Sequence, residues 1–248
     1  MRSTALAIAL VACGRIDFTP VVGVGTGADQ CVPVTPVPDP VVITGTTSRV
    51  TNFTGSDMII PDTSIAVTTQ DGATLATGTS DGSGAYRIAV PTGGVAPSVT
   101  VTFTSAGQFT AIMVPARPLD RDPHLVPNLF DGGSLQSVYN AGSAGTVGSD
   151  AIGTLIVYVE DCDGVVGYAG VSATISPAPQ YLEYSGSDGF DTSLTATEAP
   201  YANIVGFDQP PGIATLSFTG DVPLAAPSQV VVKGGDFVTF AIVQPASD

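Results

Sequence analysis

Three cysteines carry the most distinctive chemistry of this chain, and Cys13 is the most informative of them. A thiol can be acylated, oxidised to a disulfide or bound to a metal, and its surroundings decide which of these happens. Cys13 follows an apolar run over residues 5–12, which Arg2 precedes. A basic residue, a run too short to span a bilayer and small residues at its end are typical of a secretory signal peptide. The sequence therefore predicts an exported protein.

The tetrapeptide Leu10-Val11-Ala12-Cys13 resembles a bacterial lipobox. The resemblance implies that residues 1–12 form a lipoprotein signal peptide. It also implies that Cys13 becomes the first mature residue and carries lipid such as palmitate. Each buried CH₂ contributes about 0.8 kcal/mol, so several acyl chains give lasting membrane attachment. Gly14 stands where many inner-membrane lipoproteins have Asp, which favours the outer membrane of a bacterial cell envelope. The alternative is an ordinary cleaved signal peptide that ends in Cys.

Cys31 and Cys162 remain once Cys13 is assigned to lipid. An even remainder in an oxidising compartment is compatible with one disulfide. The bridge would close a loop of about 130 residues, for which the chain-entropy model gives at most about 5 kcal/mol. Two free thiols are the other interpretation, and the sequence leaves both open.

The residues needed for enzymatic catalysis are scarce, and we expect a protein that is not an enzyme and needs no cofactor. His124 is the only histidine, and it lies in the proline-rich stretch Asp122-Pro123-His124. A single imidazole cannot build a His-based zinc site, and no nucleophile is evident for it to activate. No glycine-rich phosphate loop with Lys occurs, and Lys233 is the only lysine.

Two aspartates, Asp161 and Asp163, are weak candidates for a calcium site. Their carboxylates offer the oxygen ligands that Ca²⁺ prefers, but they do not complete an Asp-x-Asp-x-Asp-Gly loop that ends in Glu. Aspartate before glycine is more often a turn residue. We therefore predict no metal site.

The charge of the chain restricts its partners. The formal net charge is -15, which repels nucleic acid and anionic lipid headgroups, so membrane contact must come from the lipid on Cys13. Only 12% of the residues are charged, while Gly, Pro, Thr, Ser, Val and Ala dominate. This composition predicts an all-β extracellular protein.

The elements that follow Cys13 begin with a predicted tether over residues 13–40, rich in Pro and Gly. A first sandwich is predicted over residues 41–118, because Val99, Val101 and Phe103 alternate with threonines and Asp71-Gly72 marks a hairpin turn. A connector follows over residues 119–152, with a short helix at 134–140 whose N-cap is Ser134. A second sandwich is predicted over residues 153–248, where residues 155–159 favour a central strand.

The two halves resemble carboxypeptidase regulatory-like domains, which are transthyretin-like sandwiches. The second half carries Gly153-Thr-Leu-Ile-Val-Tyr-Val-Glu-Asp161-Cys-Asp-Gly164 and a Pro210-Pro211-Gly212 turn before a Thr-rich strand. The first half carries Asp81-Gly-Ser-Gly84-Ala-Tyr86. The resemblance implies two tandem antiparallel Greek-key β-sandwiches. It departs at residues 52–62, which form an insertion, and at residues 180–201, which lack the expected turn.

Two functional hypotheses follow from this resemblance, with a third behind them. The first is a non-catalytic envelope lipoprotein that acts as a structural or protein-interaction module, with an unidentified envelope protein as partner. The second is a surface module that binds a glycan, because starch-binding-like modules share the carbohydrate-binding-like fold. Sugar stacking would then use the tyrosines of the second half, predicted in loops: Tyr168, Tyr181, Tyr184 and Tyr201. The third is an accessory part of an exported hydrolase.

Overall fold

A computed structural model describes residues 32–50, 58–141, 151–161, 167–186, 189–191, 193–198 and 202–246. In the first half, these ranges contain the strands β1 Val41–Thr46, β2 Ser48–Arg49, β3 Met58–Ile59, β4 Ser64–Thr69, β5 Thr74–Thr79, β6 Ala85–Val90, β7 Val99–Thr104, β8 Thr110–Val114 and β9 Asn128–Leu129, followed by the helix α1 Gly132–Ala141. In the second half, they contain β10 Gly153–Val159, β11 Ser172–Ser176, β12 Tyr181–Gly186, β13 Gly189–Asp191, β14 Asn203–Gln209, β15 Gly212–Thr219, β16 Leu224–Ala225, β17 Gln229–Val232 and β18 Phe237–Pro245. The prediction of an all-β protein is confirmed.

One large sheet runs through both halves of the chain. Its strands lie in the order β13-β12-β14-β10-β18-β8-β7-β4-β5, and β16 pairs with β18 off this path. The smaller sheets are the pair β1-β6, the set β11-β15-β17 and the set β3-β2-β9. Each half therefore has two sheet layers, and the halves meet edge to edge within the large sheet. The predicted domain boundaries stay a prediction.

The join between the halves is the strand β18, which departs from the antiparallel pattern expected of the sandwiches. It runs parallel to β10 on one side and parallel to β8 on the other. Met113 is opposite Phe240 in this register, and Val114 is opposite Ala241. Six consecutive residues of β18, from Val238 to Val243, are buried, and the residues at its two ends are half-buried. A strand buried on both faces is the pattern of a central, parallel-paired strand.

The two faces of the large sheet are covered by different elements. The first core lies on one face, where β1 and β6 cover the first half and α1 covers the second through residues such as Leu135 and Tyr139. The ring of Tyr139 packs edge-on against Phe207 with centroids 4.7 Å apart. The second core lies on the other face and is covered by β11, β15 and β17. Over the first half, none of the strands that the structure describes forms a second layer on this other face.

Alternation of apolar and polar residues correctly predicts several strands. Residues of β7 are buried at Val99, Val101 and Phe103 and more exposed between them. The Asp71-Gly72 turn joins β4 to β5, with Gly72 at a φ of 90°. The Pro210-Pro211 turn joins β14 to β15, and no strand contains these prolines because they lack the N–H that a ladder needs. Residues 155–159 form a central strand, β10, between β14 and β18.

The predicted helix is present, but its N-cap is Asp131 and not Ser134. Asp131 Oδ1 accepts a hydrogen bond of 2.8 Å from the Ser134 amide, and Ser134 Oγ accepts one of 3.0 Å from the Asp131 amide. These reciprocal bonds are those of a capping box. The same Asp131 forms an ion pair of 2.7 Å with Arg49 of β2. The Ser134 bonds, together with the Arg49 charge, lower the pKa of Asp131.

Candidate functional site

Several residues singled out from the sequence lie outside the described part of the chain. They are Cys13, Cys31, Cys162, Asp163 and Tyr201. Lipidation and the two interpretations of Cys31 and Cys162 therefore stay predictions. No helix among the described residues is both long and apolar enough to cross a bilayer.

The predicted stacking tyrosines that the structure describes do not form one surface. Tyr181 and Tyr184 lie on strand β12 and not in loops, and their rings contact opposite cores. Tyr184 is only 6% exposed. Its hydroxyl accepts a hydrogen bond of 3.1 Å from the Ala173 amide and lies 3.4 Å from the Ala173 carbonyl. Tyr184 is therefore a buried residue that caps the free edge of β11, and Tyr168 packs half-buried on the second core.

The weak calcium candidate Asp161 follows β10 and lies beside a second acid, Glu160. Burial, and then the charge of Asp161, raise the pKa of Glu160 to about 8. Glu160 therefore holds a proton at neutral pH and adds little negative charge there. Gln244 Nε2 donates a hydrogen bond of 3.2 Å to the Asp161 carbonyl, which ties this strand end to β18. Within the described residues, no group of three or more His, Cys, Asp or Glu is placed to bind a metal.

Several long-range polar contacts of the described residues meet at residues 117–122, which we call the hub. The hub holds residues 32–40, the end of the predicted tether, which we call the tether root. Asp120 Oδ2 accepts a hydrogen bond of 2.9 Å from the Val34 amide, and the Arg121 guanidinium donates to the Val32 carbonyl. Arg121 also forms an ion pair of 3.1 Å with Asp120. The charged side chains thus position each other and the root together.

The hub also holds the first strand and the last one. Asp122 Oδ1 accepts a hydrogen bond of 2.7 Å from the Val42 amide of β1. The Arg117 guanidinium donates to the Pro245 carbonyl at the end of β18. Burial, followed by the neighbouring charge of Arg121, lowers the pKa of Arg117. Six consecutive residues therefore hold the beginning and the end of the described chain.

A second turn clamps the tether root from the other side. Asp39 Oδ1 accepts a hydrogen bond of 2.9 Å from the Thr92 amide, and Thr92 Oγ1 donates one of 2.7 Å to the Pro38 carbonyl. Val37 packs against the first core. The tether predicted to end at Pro40 is thus bound to the sandwich from Val32 onward, although it forms no regular strand there.

The hub is not among the sites predicted from the sequence, although a signal is present there. Arg117, Asp120, Arg121 and Asp122 place four charges within six residues of a chain in which only 12% of residues are charged. The neighbouring His124 takes part in a backbone ladder, because Thr44 forms a parallel bridge with it. The Thr44 amide donates a hydrogen bond of 3.1 Å to the Pro123 carbonyl. The Leu125 amide donates one of 2.8 Å to the Thr44 carbonyl. This connector therefore covers the free edge of β1.

Exposed aspartates at the turns accept hydrogen bonds from residues that lie two positions away in the chain. Asp81 Oδ1 accepts hydrogen bonds of 2.8 Å from the Ser83 amide and 2.7 Å from Ser83 Oγ. Asp191 forms the same pair with Ser193 at 2.7 Å each. The serine bonds lower the pKa of both aspartates. Asp71 Oδ1 accepts a hydrogen bond from the Thr69 hydroxyl at another turn, so these carboxylates stabilise turns.

Glu183 is the one described carboxylate that is buried without a hydrogen-bond partner on either oxygen. It is 2% exposed, and it lies on β12 opposite Val205 of β14. The residues on this face of the two strands, such as Val205 and Phe207, belong to the first core. Burial raises the pKa of Glu183 to about 7. A carboxyl in such a setting is neutral below that pH because desolvation disfavours its charged form.

An open groove of about 530 Å³ lies beside the end of β15 and residues 220–228. Its walls include Leu216, Phe218, Leu224 and Pro227, and Asp221 is its one charged residue. None of the residues predicted from the sequence lies in this groove.

No family model matches the chain, and no curated protein matches it. Among solved structures, it is similar to the shaft pilin SpaA from Lactobacillus rhamnosus GG, at 12% identity and a TM-score of 0.26 over 84% of this chain and 99% of the pilin. It is also similar to the Bacillus anthracis TIE protein, at 11% identity and a TM-score of 0.27 over 83% of this chain. The chain spans about a third of that protein's length, because the match covers 34% of it. Similarity at this level leaves the function to be argued from the chain itself.

Proposed function

We propose that this chain is a non-catalytic lipoprotein of the bacterial cell envelope, held at the outer membrane by lipid on Cys13. In this proposal the folded body is a structural or protein-interaction module related to carboxypeptidase regulatory-like domains. The tether leads from the lipid to the body, and an envelope protein binds the body.

The observation that carries the proposal is the attachment of the tether root to the hub. Asp120 and Arg121 hold the root at Val34 and Val32, and Asp39 holds it at Thr92. A passive linker needs no such bonds, because flexible linkers function without fixed contacts. A clamped root fixes the place on the body from which the tether starts. This supports a module that is built to be held at that place.

The placement of the acidic residues supports a structural role over a catalytic one. Asp81, Asp131 and Asp191 are bonded to the backbone of turns or of the helix start. Asp120 and Asp122 are bonded to the chain near its start. Each of these carboxylates therefore has a structural role in the fold that requires no substrate.

The test of the anchor is metabolic labelling of the full chain with radiolabelled palmitate. We expect label in the wild type and none in Cys13→Ser, while Cys31→Ser keeps the label as the matched control. Equal label in the wild type and Cys13→Ser would rule out the anchor. Mass spectrometry of the native N-terminus reports cleavage before Cys13 and acylation together. A hydrolase panel on peptides, esters and glycosides tests the non-catalytic part, which turnover by the purified chain would overturn.

A further inference from the structure

The solvent-facing side of the sheet in the first half is a grid of hydroxyl groups. Three neighbouring strands, β5, β4 and β7, contribute three rows of facing residues. Eight of the nine positions carry Ser or Thr, and the ninth is Ala66. We call this set the threonine face: Thr79, Ser64 and Thr104 in one row, Thr77, Ala66 and Thr102 in the next, and Thr74, Thr68 and Thr100 in the last.

These positions lie on the side of the sheet away from the first core. Their strand neighbours Ile65, Val67 and Val101 are buried in that core, and successive residues of a strand point to opposite faces. Thr74, Thr77 and Thr104 are exposed, while Thr68 and Thr102 are half-buried. Neighbouring strands are about 4.8 Å apart and alternate residues roughly 6.6 Å apart. The hydroxyls and methyls are therefore presented at a regular spacing.

The second half repeats this pattern on β11 and β15. Their outward residues pair as Ser172 with Thr219, Thr174 with Ser217, and Ser176 with Thr215. We call these six residues the serine-threonine face. The sheet that bears them covers the second core, which lies on the same side of the large sheet as the threonine face. Both hydroxyl faces thus belong to one side of the large sheet, although the twist of the sheet turns one relative to the other.

Neither face contains a charged residue, in a chain whose net charge is -15. The strands β4, β5, β7, β11, β15 and β17 hold no Asp, Glu, Lys or Arg. The acidic residues next to these strands lie at turns, such as Asp71, Asp81 and Asp221. A cationic partner would be drawn to those acidic turns, and an anionic partner would be repelled by the chain as a whole. Charge complementarity therefore leaves an uncharged partner for the faces.

We propose that the threonine face and the serine-threonine face bind an uncharged polysaccharide. A hydroxyl both donates and accepts a hydrogen bond, so Ser and Thr match the hydroxyls of neutral sugars without a fixed polarity. The threonine methyls contact the apolar C–H surface of the sugar rings. No aromatic stacking is needed, which fits a chain without Trp and with Tyr184 buried.

The repetition of the face explains how weak contacts give useful retention. A single hydroxyl grid buries little apolar surface, so one contact has low affinity. A polymer repeats its unit, and a body with two faces can engage it twice, which raises the effective affinity through linkage. This inference goes beyond the proposed function because it names a partner class, and it is independent of lipid on Cys13.

The experiment is retention of the purified full chain, carrying Cys13→Ser for solubility, on insoluble neutral polysaccharides. Cellulose, chitin and β-1,3-glucan are the probes, and an anionic polygalacturonate gel is the comparison. We expect retention on at least one neutral polymer that persists from about 0.05 to about 1 M NaCl, because salt screens only charge interactions. The change Thr77→Lys with Thr102→Lys should weaken retention about tenfold or more.

Three further variants separate the faces from general effects. Ala85→Lys with Ala89→Lys places the same two charges on the exposed side of β6, beyond the first core, and should leave retention unchanged. Thr77→Val with Thr102→Val keeps the side-chain shape and removes the hydroxyls, and should weaken retention in the same direction. Thr215→Lys with Ser217→Lys tests the other face. Circular dichroism checks that each variant is folded.

The proposal is overturned by any of three results. The first is no retention of the wild type on every neutral polymer. The second is an equal loss in the β6 control and in the Thr77 and Thr102 lysine variant. The third is binding only to the anionic gel, with steep salt dependence. Palmitate labelling is unaffected by these outcomes, so failure here and failure of the lipid anchor are distinguishable.

Discussion

Met113 and Phe240 face each other across the parallel pairing of β8 with β18, and both side chains are buried in the first core. Met113 belongs to the first half and Phe240 to the last strand of the second. Phe240 also packs against Phe130 and Tyr158, with ring centroids 6.4 Å and 5.3 Å away. One continuous core therefore crosses the join between the halves.

Because of this shared core, we predict that the halves unfold together. Met113→Ala should lower the free energy of unfolding by roughly 2–5 kcal/mol, the usual cost of a large-to-small change in a core. Hydrogen exchange followed by mass spectrometry should then show lost protection in β10 and β14 as well as in β7. The control is Val95→Ala, at a side chain that is 71% exposed. It should change neither the free energy of unfolding nor the exchange protection. Protection that falls in the first half alone would contradict a shared unfolding unit.

The second prediction concerns pH and the buried Glu183. Its pKa rises from 4.5 to about 7 on folding, because burial disfavours the carboxylate. Between these values the folded chain binds more protons than the unfolded chain, so stability falls as pH rises through this window. Glu160, whose pKa burial raises to about 8, acts in the same direction. Because of these two groups, we expect the folded chain to be most stable below about pH 5 and less stable at higher pH.

Glu183→Gln isolates the contribution of Glu183 to that loss. The variant cannot ionise, so thermal melts from about pH 5 to about pH 8 should show a shallower decline in Tm than the wild type. The slope is the readout, because a buried amide has its own desolvation cost at every pH. Glu198→Gln, at an exposed position, should keep the wild-type slope. Identical slopes for Glu183→Gln and the wild type would refute the assignment.

Local pattern predicted the strands well and their partners poorly. The alternation at Val99, Val101 and Phe103 identifies β7 because burial of one face leaves a period of two in the sequence. The apolar run that becomes β18 indicates burial on both faces, but nothing in it specifies pairing with β8, which is 127 positions away in the register of Met113 with Phe240. Partner choice depends on the whole set of sheets and not on a local period.

The residues of the candidate site show the same limit. The sequence predicts Tyr184 in a loop, and in the structure it is a buried strand residue. The predicted N-cap is Ser134, whereas the helix begins at Gly132, directly after Asp131. The hub charges Asp120 and Arg121 were visible, but their partners Val34 and Val32 are more than eighty residues away. Such long-range polar contacts leave no spacing signal in a single sequence.

The third prediction tests the clamp on the tether root. Asp120→Ala removes the acceptor of the Val34 amide and a partner of Arg121. A hydrogen bond to a charged group contributes about 1.5–3 kcal/mol, so residues 32–40 should detach more often and become a protease site. Limited proteolysis with mass spectrometry should show earlier cleavage there than in the wild type. Asp236→Ala, at an exposed carboxylate, is the control and should leave the cleavage rate unchanged. Unchanged cleavage in Asp120→Ala would mean that the root is held by its other contacts.

The fourth prediction concerns Gly45, where the connector approaches β1 most closely. A Cβ at Gly45 would lie 1.8 Å from the Leu125 carbonyl oxygen and 2.6 Å from the Tyr86 hydroxyl. That same carbonyl accepts a hydrogen bond of 2.5 Å from Tyr86, in a fully buried position. Gly45→Ala must therefore displace backbone, and not only a flexible side chain. We expect a loss of at least about 3 kcal/mol in the free energy of unfolding, measured by denaturant titration.

Gly82→Ala is the matched control, because a Cβ there meets no atom within 4 Å and the glycine has no positive φ. It should stay within about 0.5 kcal/mol of the wild type, as surface changes usually do. Tyr86→Phe gives a second measure of the same contact, since it removes the hydroxyl donor to Leu125 and should cost about 1–3 kcal/mol. In the double variant of Gly45→Ala with Tyr86→Phe, the two losses should be less than additive, because both act on the Leu125 carbonyl. Full additivity would show that the two changes act on separate contacts, and the Leu125 carbonyl would then not be the point that they share.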